Sequence, residues 1–275
     1  MTTVDLRDRD FEKISRLVYE QCGINLHAGK KELVKARLSK RLREGSFDSF
    51  SDYFRYVTTE EGTDELISMI DSLSTNLTYF FREDKHFKKL SSIFSAIKTG
   101  AQPPSQLKIW SAGCSTGEEP YTIAMTVFDY YGRRQMPELL LLATDIDTQV
   151  LGKARVGTYP GERLAAVDEN VISTYFNSDG ADPCNYTVKD FVRSKIYFRR
   201  LNLLQDEYPM KKQFDIIFCR NVIIYFDRET QTRLFANFYR YLKDDGYMLI
   251  GHSENITSIT DRFSLAGRTI YRKVL

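Results

Sequence analysis

The spacing of apolar residues changes along this chain of 275 residues, and the change divides it into two parts. Up to residue 72 apolar side chains recur every three or four positions, as Phe11, Ile14 and Val18 do, and no strand-like alternation interrupts them. That spacing predicts an all-helical segment. From Leu107 onwards short apolar runs alternate with helical stretches, which is typical of a doubly wound α/β sheet.

The second part predicts strands that are separated by helices. Val188–Leu203 breaks this rhythm, because its apolar residues stand among polar ones, and it favours a small antiparallel excursion. We assign about 157–201 to a small β subdomain inserted into the domain. The expected strands are Leu107–Ser111, Leu139–Thr144, Phe214–Cys219, Gly246–Gly251 and a late edge strand at Thr269–Val274, and the expected helices are about Glu119–Tyr131, Thr148–Arg155 and Glu229–Leu242.

A joining region links the two parts. Its first stretch, Ser74–Glu83, is polar and aromatic, and a helix pattern follows through Phe87 and Leu90 to Ile97. Gly100–Ser105 contains two prolines and predicts a turn or linker. We therefore expect a small all-α N-terminal domain, a connecting region and an α/β domain, at residues 1–72, 73–106 and 107–275.

Composition and charge exclude several classes of protein. Apolar residues make up 42% of the chain and the net charge is +2, so ordinary cores can form and the whole molecule has no preference for polyanions. No apolar run has the length of a membrane-spanning helix, and Met1–Glu20 lacks the apolar core of a signal peptide, so we expect a cytoplasmic protein without membrane insertion. Four scattered cysteines favour reduced thiols over disulfides or a metal site; they are Cys22, Cys114, Cys184 and Cys219.

The most informative segment follows the first predicted strand. There a turn of small residues, Ala112–Gly117, leads through Glu118 and Glu119 into a helix. In α/β proteins ligands bind beyond the carboxyl ends of the strands, and the two glycines of this turn let the backbone approach a ligand closely. The spacing matches neither a dinucleotide fingerprint nor a phosphate-binding loop. Acids beside a helix N-terminus repel phosphate and suit hydroxyl groups or a cation.

The second predicted strand ends in two acids, Asp145 and Asp147. In such folds an acid at the end of the second strand receives a ribose, because its two hydroxyl donors match one carboxylate. The alternative is that either acid caps the next helix. We expect Asp145 to be the ribose ligand and Asp147 to be the cap.

Two further segments carry candidate site residues. The third buried strand runs into Arg220 and Asn221, and Tyr225 follows about a turn later. The pattern alone leaves Tyr225 open between a core residue and a catalytic one. The joining region adds a polar cluster of Asn76, Thr78 and Arg82, which lies beside three aromatic residues in the sequence.

A basic stretch lies in the helical part. Its cations outnumber Glu32 and Glu44 and surround a narrow apolar row, and an acidic counterweight follows at Glu60–Asp71. Three interpretations stay open: a docking surface for an acidic partner, a solvated helix that the acidic stretch partly neutralises, and nucleic-acid binding, for which no recognised motif is present. The cations are Lys30, Lys31, Lys35, Arg37, Lys40, Arg41 and Arg43.

Six segments occur in an order that resembles the chemotaxis receptor methyltransferase (CheR-type) family, and they cover nearly the whole chain. The resemblance implies a methyltransferase-type, Rossmann-like sheet with a small antiparallel β insertion after an all-α domain. It implies S-adenosylmethionine as methyl donor, S-adenosylhomocysteine as product, and a glutamate side chain of a chemoreceptor's cytoplasmic helices as acceptor, giving a methyl ester. The segments are Thr75–Arg82, Trp110–Tyr121, Ala143–Asp147, Asn202–Leu204, Phe218–Asp227 and Gly251–Glu254.

By matching position, the resemblance also implies roles for single residues. Glu119 would hold the methionyl ammonium, although Glu118 is hard to separate from it, and Asp145 would hold the ribose. The basic helix would dock the receptor, and the β subdomain grips a receptor C-terminal peptide in some members. Nucleic acid is not an expected partner. The other implied cofactor residues are Asn76, Thr78, Arg82, Asn202, Leu203, Arg220 and Asn221.

The implied chemistry needs no general base and no metal. A glutamate acceptor has a reference pKa of about 4.3 and is ionised at neutral pH, so the work left to the protein is positioning. Arg82 would hold the acceptor carboxylate, and Tyr225 would donate one hydrogen bond to it. The alternative function is a regulatory module that senses S-adenosylmethionine or S-adenosylhomocysteine without transferring a methyl group.

Overall fold

The computed structural model describes residues 4–97, 103–178, 180 and 184–274, and the chain folds into two compact units. The first unit contains the chain up to Thr75 together with Tyr225–Thr230. The second unit contains Asn76–Ile224 and the chain from Gln231 onwards. The expected linker at Gly100–Ser105 lies partly outside the described residues, which resume at Pro103.

The N-terminal unit is built from helices, as its apolar spacing predicts. In the first helix the buried residues Phe11, Ile14 and Val18 recur at helical spacing, and the helix ends at Gly23, whose φ of 70° is left-handed and suits glycine. The third helix begins at Ser49, whose hydroxyl accepts the amide of Asp52 at 3.1 Å. The helices are α1 (Asp8–Cys22), α2 (Lys31–Glu44), α3 (Phe50–Val57) and α4 (Thr63–Leu73).

Helices and strands alternate through the rest of the chain. The helices are α5 (Lys85–Ala96), α6 (Glu118–Gln135), α7 (Thr148–Val156), α8 (Glu169–Tyr175), α9 (Asp190–Arg193) and α10 (Arg228–Tyr241). The strands are β1 (Gln106–Ala112), β2 (Glu138–Asp145), β3 (Thr158–Pro160), β4 (Phe176–Ser178), β5 (Asn185–Val188), β6 (Ile196–Arg200), β7 (Phe214–Cys219), β8 (Leu242–Ile250), β9 (Phe263–Gly267) and β10 (Ile270–Lys273).

Seven strands form the main sheet in the order β6-β2-β1-β7-β8-β10-β9. The pairs from β6 to β8 are parallel, and β10 runs antiparallel to both β8 and β9. The strand order reverses between β1 and β7, so their carboxyl ends flank the position at which open α/β sheets bind ligands. The expected doubly wound α/β fold is confirmed.

The small antiparallel sheet is also confirmed, but its boundaries differ from the expectation. Its strands follow the order β3-β5-β4 and end at Val188. The expectation for Val188–Leu203 was wrong beyond that residue, because Ile196–Arg200 pairs in parallel with β2 at the edge of the main sheet. Buried Ile196 and Phe198 alternate with exposed neighbours, and such alternation shows an edge strand without revealing its direction.

The expected late edge strand is not at the edge. Strand β10 lies between β8 and β9, and β9 occupies the edge. The sequence hides β9 because Phe263 is buried while Leu265 is exposed, which breaks the apolar alternation.

Two expectations from composition can be compared with the structure. The four cysteines are free, and three of them are buried, namely Cys22, Cys114 and Cys219. Within the described ranges, the helices are all too short or too polar to cross a membrane.

Candidate functional site

The loop between β1 and α6 is held close to the end of β2. The amides of Gly113 and Cys114 donate to the carbonyl of Thr144 at 2.8 and 2.9 Å. Gly113 has a φ of 87°, and a Cβ there would lie 2.3 Å from a methyl carbon of Val222. Gly117, at a φ of 96°, would meet Ala154 at 2.9 Å. Only glycine fits both positions, because the loop backbone packs closely against Val222 on one side and Ala154 on the other.

Asp145 lies at the end of β2 and faces this loop. Its two carboxylate oxygens accept the amides of Ser115 at 2.8 Å and Asp147 at 3.0 Å. Burial raises the pKa of Asp145 to about 6. Each oxygen can accept more than one hydrogen bond, so this carboxylate keeps capacity for a diol. Asp147 caps α7 by accepting the amides of Gln149 and Val150 at 2.8 and 3.1 Å, so its expected capping role is confirmed.

Glu119 belongs to a chain of alternating charges. One oxygen accepts the Ser111 hydroxyl at 2.7 Å, and the other lies 3.0 Å from the guanidinium of Arg220. Arg220 also bonds to Glu83 at 3.1 Å and to the carbonyl of Arg82. Burial raises the pKa of Glu119, and Arg220 opposes that rise. A single buried guanidinium thus holds two carboxylates.

Glu118, the neighbouring acid, points to different partners. One of its oxygens accepts the Thr116 hydroxyl at 2.6 Å. The other is buried without a hydrogen bond among the described residues and lies 3.8 Å from the guanidinium of Arg163. Burial raises the pKa of Glu118. The two adjacent acids therefore serve separate networks, and the choice of Glu119 for the ammonium stays a prediction.

Glu83 is a further carboxylate that binds residues at the end of β7, although the sequence did not single it out. Besides Arg220, it accepts the side-chain amide of Asn221 at 3.3 Å and the backbone amide of His252 at 3.2 Å. Burial pushes its pKa up, but Arg220 and these donors together hold the pKa of Glu83 below its ordinary value. Glu83 directly follows the Thr75–Arg82 segment and ends the polar, aromatic stretch Ser74–Glu83, which was the available signal.

Glu254 organises the ends of β7 and β8. Its carboxylate accepts the backbone amides of Gly251 at 2.6 Å, Asn221 at 3.1 Å and Ile223 at 2.9 Å. The amide of Ile224 adds a longer bond at 3.3 Å. Asn221 has a left-handed φ of 58°, so this carboxylate stabilises a backbone turn that asparagine tolerates and most residues do not. Glu254 ends the Gly251–Glu254 segment, but nothing in the sequence assigned it a role.

A cluster of Glu83, His86 and His252 has the composition of a metal site. Its ligand atoms lie within 4.8 Å of one another. Burial, followed by the charge of Arg220, lowers the pKa of His86 to about 4, so the ring is neutral at physiological pH. However, the carboxylate that a metal would need already holds the Arg220 guanidinium at 3.1 Å, and that charge repels a cation. The cluster is therefore part of the set of ion pairs that Arg220 forms with Glu83 and Glu119.

The joining region reaches the same strand ends. The side-chain amide of Asn76 donates to Asp147 at 2.7 Å, and the backbone carbonyl of Asn76 accepts the Ser115 hydroxyl at 3.1 Å. The carbonyl of Thr78 accepts Arg163 at 2.9 Å. Arg82 donates to the carbonyl of Leu77 at 2.7 Å.

Asn202 and Leu203 adjoin Asp145 through the chain, because the amide of Leu201 donates to the Asp145 carbonyl at 3.0 Å. Every residue expected at the cofactor lies in the second unit. Tyr225 differs, since it groups with the helical unit, where its carbonyl accepts the amide of Asn25 at 3.0 Å. Its catalytic role stays a prediction.

Comparison with known proteins assigns both units. Residues 76–272 match the model of the CheR methyltransferase, SAM binding domain, and residues 9–74 match the CheR methyltransferase, all-alpha domain. The chain belongs to the CheR methyltransferase family. It is 41% identical to the chemotaxis protein methyltransferase of Borreliella burgdorferi, with 92% of this chain and 90% of that protein covered. Corresponding proteins of Klebsiella aerogenes and Escherichia coli are 40% and 39% identical over 97% of this chain and 90% and 91% of their own lengths.

The CheR site fits S-adenosylmethionine, the cofactor of this family's catalytic domain. The carboxylate of buried Asp145 suits a ribose diol, and that of Glu119, whose side chain is 12% exposed, suits an ammonium group. Asp145 accepts the amide of Ser115 in the loop between β1 and α6. The cofactor carries no phosphate, which agrees with acids at the start of α6. This CheR protein is thus an S-adenosylmethionine-dependent methyltransferase.

Proposed function

We propose that this CheR protein transfers the methyl group of S-adenosylmethionine to glutamate side chains on the cytoplasmic helices of chemoreceptors. The products are glutamate methyl esters and S-adenosylhomocysteine. The relatives at 39–41% identity are chemotaxis protein methyltransferases, which supports the acceptor class. The observation that carries the proposal is a pair of acids in the second unit. Asp145 is buried at the end of β2 and accepts an amide of the loop between β1 and α6, and the largely buried Glu119 stands at the start of α6.

The protein's part in this reaction is binding and orientation. Asp145 accepts the ribose hydroxyls, Glu119 holds the methionyl ammonium, and Asn202 and Leu203 flank the adenine. When bound, S-adenosylmethionine supplies an electrophilic methyl group on a sulfonium. Because the acceptor carboxylate is already ionised at neutral pH, the chain needs no residue to remove a proton. Opposite charges combine as the bond forms, so a pocket with little water favours transfer.

Arg82 is proposed to hold the acceptor carboxylate. Its guanidinium uses one donor on the carbonyl of Leu77 and lies 5.8 Å from the ring centroid of Tyr79. A guanidinium has five N–H donors, so several stay available for a carboxylate. Tyr225 is proposed to donate one hydrogen bond to the same acceptor. Arg82→Ala and Tyr225→Phe should lower methyl transfer more than cofactor affinity, and an equal loss of both would remove the assignment.

Receptor docking is proposed at two further places. The cations of α2 would meet the acidic receptor helices, although the fold already employs several of them. Lys31 pairs with Asp8 at 2.6 Å and Lys35 with Asp5 at 2.7 Å, while Arg41 pairs with Glu65. Lys40 lies 3.7 Å from Glu44, and Arg37 donates to the carbonyls of Leu73 and Ser74.

The β subdomain would bind a receptor C-terminal peptide, and the reaction would take place in the cytoplasm.

Methyl transfer to receptors tests the proposal against the sensor alternative. The purified protein is incubated with methyl-labelled S-adenosylmethionine and receptor-containing membranes, and label released by mild base is measured on the receptor. The proposal predicts base-labile label that requires both protein and receptor. Cofactor binding without such label would support a sensing module, and label without receptors would indicate a methyltransferase of small carboxylic acids.

A further inference from the structure

A second basic surface lies at the β6 edge of the main sheet, where helix α7 packs against β6. Two segments that are about forty residues apart in sequence supply its cations. Within the described part of the chain, an ion pair reaches one of these cations, Arg193, which binds Asp190 at 2.6 Å. We call this surface the α7–β6 basic edge; it consists of Lys153, Arg155, Arg193, Lys195, Arg199 and Arg200.

Two guanidinium groups of the α7–β6 basic edge converge on one backbone oxygen. Arg155 reaches from α7 to the carbonyl of Phe198 at 3.3 Å, and Arg199 reaches the same carbonyl at 2.8 Å. Arg200 donates to the carbonyl of Ile146 at 3.3 Å. Neutral carbonyls hold these cations in place but do not neutralise them, so like charges accumulate at the sheet edge.

Exposed apolar side chains lie among these cations. Val156 is 58% exposed at the end of α7, and Tyr197 is 47% exposed on β6. Arg193 donates to the carbonyl of Val156 at 2.7 Å, which links the apolar and the charged residues. An aromatic ring and an aliphatic residue within a basic surface fit a protein partner with acidic and apolar side chains. The whole chain has a net charge of only +2, so this concentration of positive charge is local.

We propose that the α7–β6 basic edge docks an acidic segment of the chemoreceptor's cytoplasmic domain. This inference rests on the proposed function, because the reaction requires a receptor segment that carries ionised glutamate side chains. The five residues of β6 extend over about 16 Å, enough for a few turns of an acidic helix to lie along the cations. Docking here would hold the receptor by charge while the methyl acceptor is bound elsewhere.

The experiment removes charge from the edge and, in a matched control, from exposed ion pairs elsewhere. The edge variant combines Lys153→Gln, Arg155→Gln and Arg199→Gln. The control combines Lys88→Gln, Arg240→Gln and Arg272→Gln, whose side chains pair with exposed acids. Both variants change the net charge equally. For each protein, KM for a receptor cytoplasmic fragment, kcat, affinity for S-adenosylhomocysteine and direct binding of the fragment are measured at low and high salt.

The inference predicts that the edge variant raises the receptor KM about tenfold at about 50 mM salt and loses most of the salt dependence of KM. Its kcat and its affinity for S-adenosylhomocysteine should match the wild type, and the control should change the receptor KM by less than about twofold. An unchanged receptor KM and unchanged fragment binding in the edge variant would overturn the inference.

Other outcomes separate competing explanations. If the edge variant self-associates in sedimentation while its receptor KM is unchanged, the cations only shield an edge strand, and the inference is wrong. If it loses binding to a duplex oligonucleotide but keeps its receptor KM, the surface serves nucleic acid instead. A wild-type protein that binds the fragment without methylating it would contradict the proposed function, and the edge variant's fragment affinity would then decide this inference alone.

Discussion

The two halves of the cofactor site use carboxylates in different ways. On the β1–β2 side, each carboxylate oxygen of buried Asp145 accepts one backbone amide, from Ser115 and from Asp147. On the β7–β8 side, Glu83 holds Arg220, Asn221 and His252, and Glu254 holds four backbone amides. Acceptor capacity stays open in the first half and is used up in the second. This difference supports the proposal that Asp145 binds the ribose, whereas Glu254 keeps the backbone in position.

The largest expected effect comes from Arg220→Met. This change leaves Glu83 and Glu119, whose side chains are 13% and 12% exposed, without their shared cation, and breaking a buried ion pair costs about 3–5 kcal/mol. Urea denaturation should show this loss of unfolding free energy. Lys88→Met, which removes one side of an exposed ion pair, is the control and should cost less than about 1 kcal/mol. Equal stabilities of the two variants would show that the ion pairs of Arg220 with Glu83 and Glu119 do not stabilise the fold.

Asp145→Asn should have the opposite character. An amide accepts the ribose hydroxyls less well than a carboxylate, so affinity for S-adenosylhomocysteine should fall by about 2 kcal/mol. Unfolding free energy should stay the same or rise, because burial disfavours the native charge at this position. Calorimetric titration and urea denaturation measure the two quantities. A variant that unfolds easily yet binds normally would reverse the division between the two halves.

The raised pKa of Asp145 makes cofactor binding depend on pH. Its native value of about 6 exceeds the usual 3.8, so its contribution to stability is present below 3.8 and is lost as the pH rises through 6. Ribose binding favours the ionised form. Affinity for S-adenosylhomocysteine should therefore be constant near pH 7, where the ligand's amino group is still charged, and fall about tenfold per unit well below pH 6. Asp145→Asn should remove this dependence, and an identical profile in the variant would assign the titration to another group.

The smallest expected effect separates the adjacent acids. Glu119→Gln should weaken binding of S-adenosylhomocysteine about tenfold, because a charged partner for the ammonium is lost. Glu118→Gln should change affinity less than about twofold, since the contacts of Glu118 are to Thr116 and Arg163. Calorimetric titration of both variants checks the difference. The reverse order would transfer the ammonium role to Glu118.

The sequence predicted features that depend on local spacing. Periodicity identified the helical unit and the alternation of strands and helices, and the strand-end position of Asp145 was visible because the apolar run before it is continuous. Strand direction was not visible, so Ile196–Arg200 was assigned to the wrong sheet. Edge β9 was missed because one of its apolar residues faces solvent.

Contacts between distant segments are not visible in the sequence. Glu83 meets Arg220 more than a hundred residues away, and Glu254 meets amides about thirty residues before it. The same reason explains the two basic surfaces. The cations of α2 are contiguous in sequence and stand out, but the fold pairs several of them with acids from other helices. The α7–β6 basic edge forms only when two separate segments come together.

Peptide mapping of a receptor fragment tests the central claim most directly. The fragment is incubated with S-adenosylmethionine and either the wild-type protein or Asp145→Asn, at a cofactor concentration below the wild-type KM, and its glutamates are examined by mass spectrometry. The account predicts methyl esters on receptor glutamates that mild base removes, and far fewer of them with Asp145→Asn. Modification at other residues, or equal ester formation by both proteins, would contradict it.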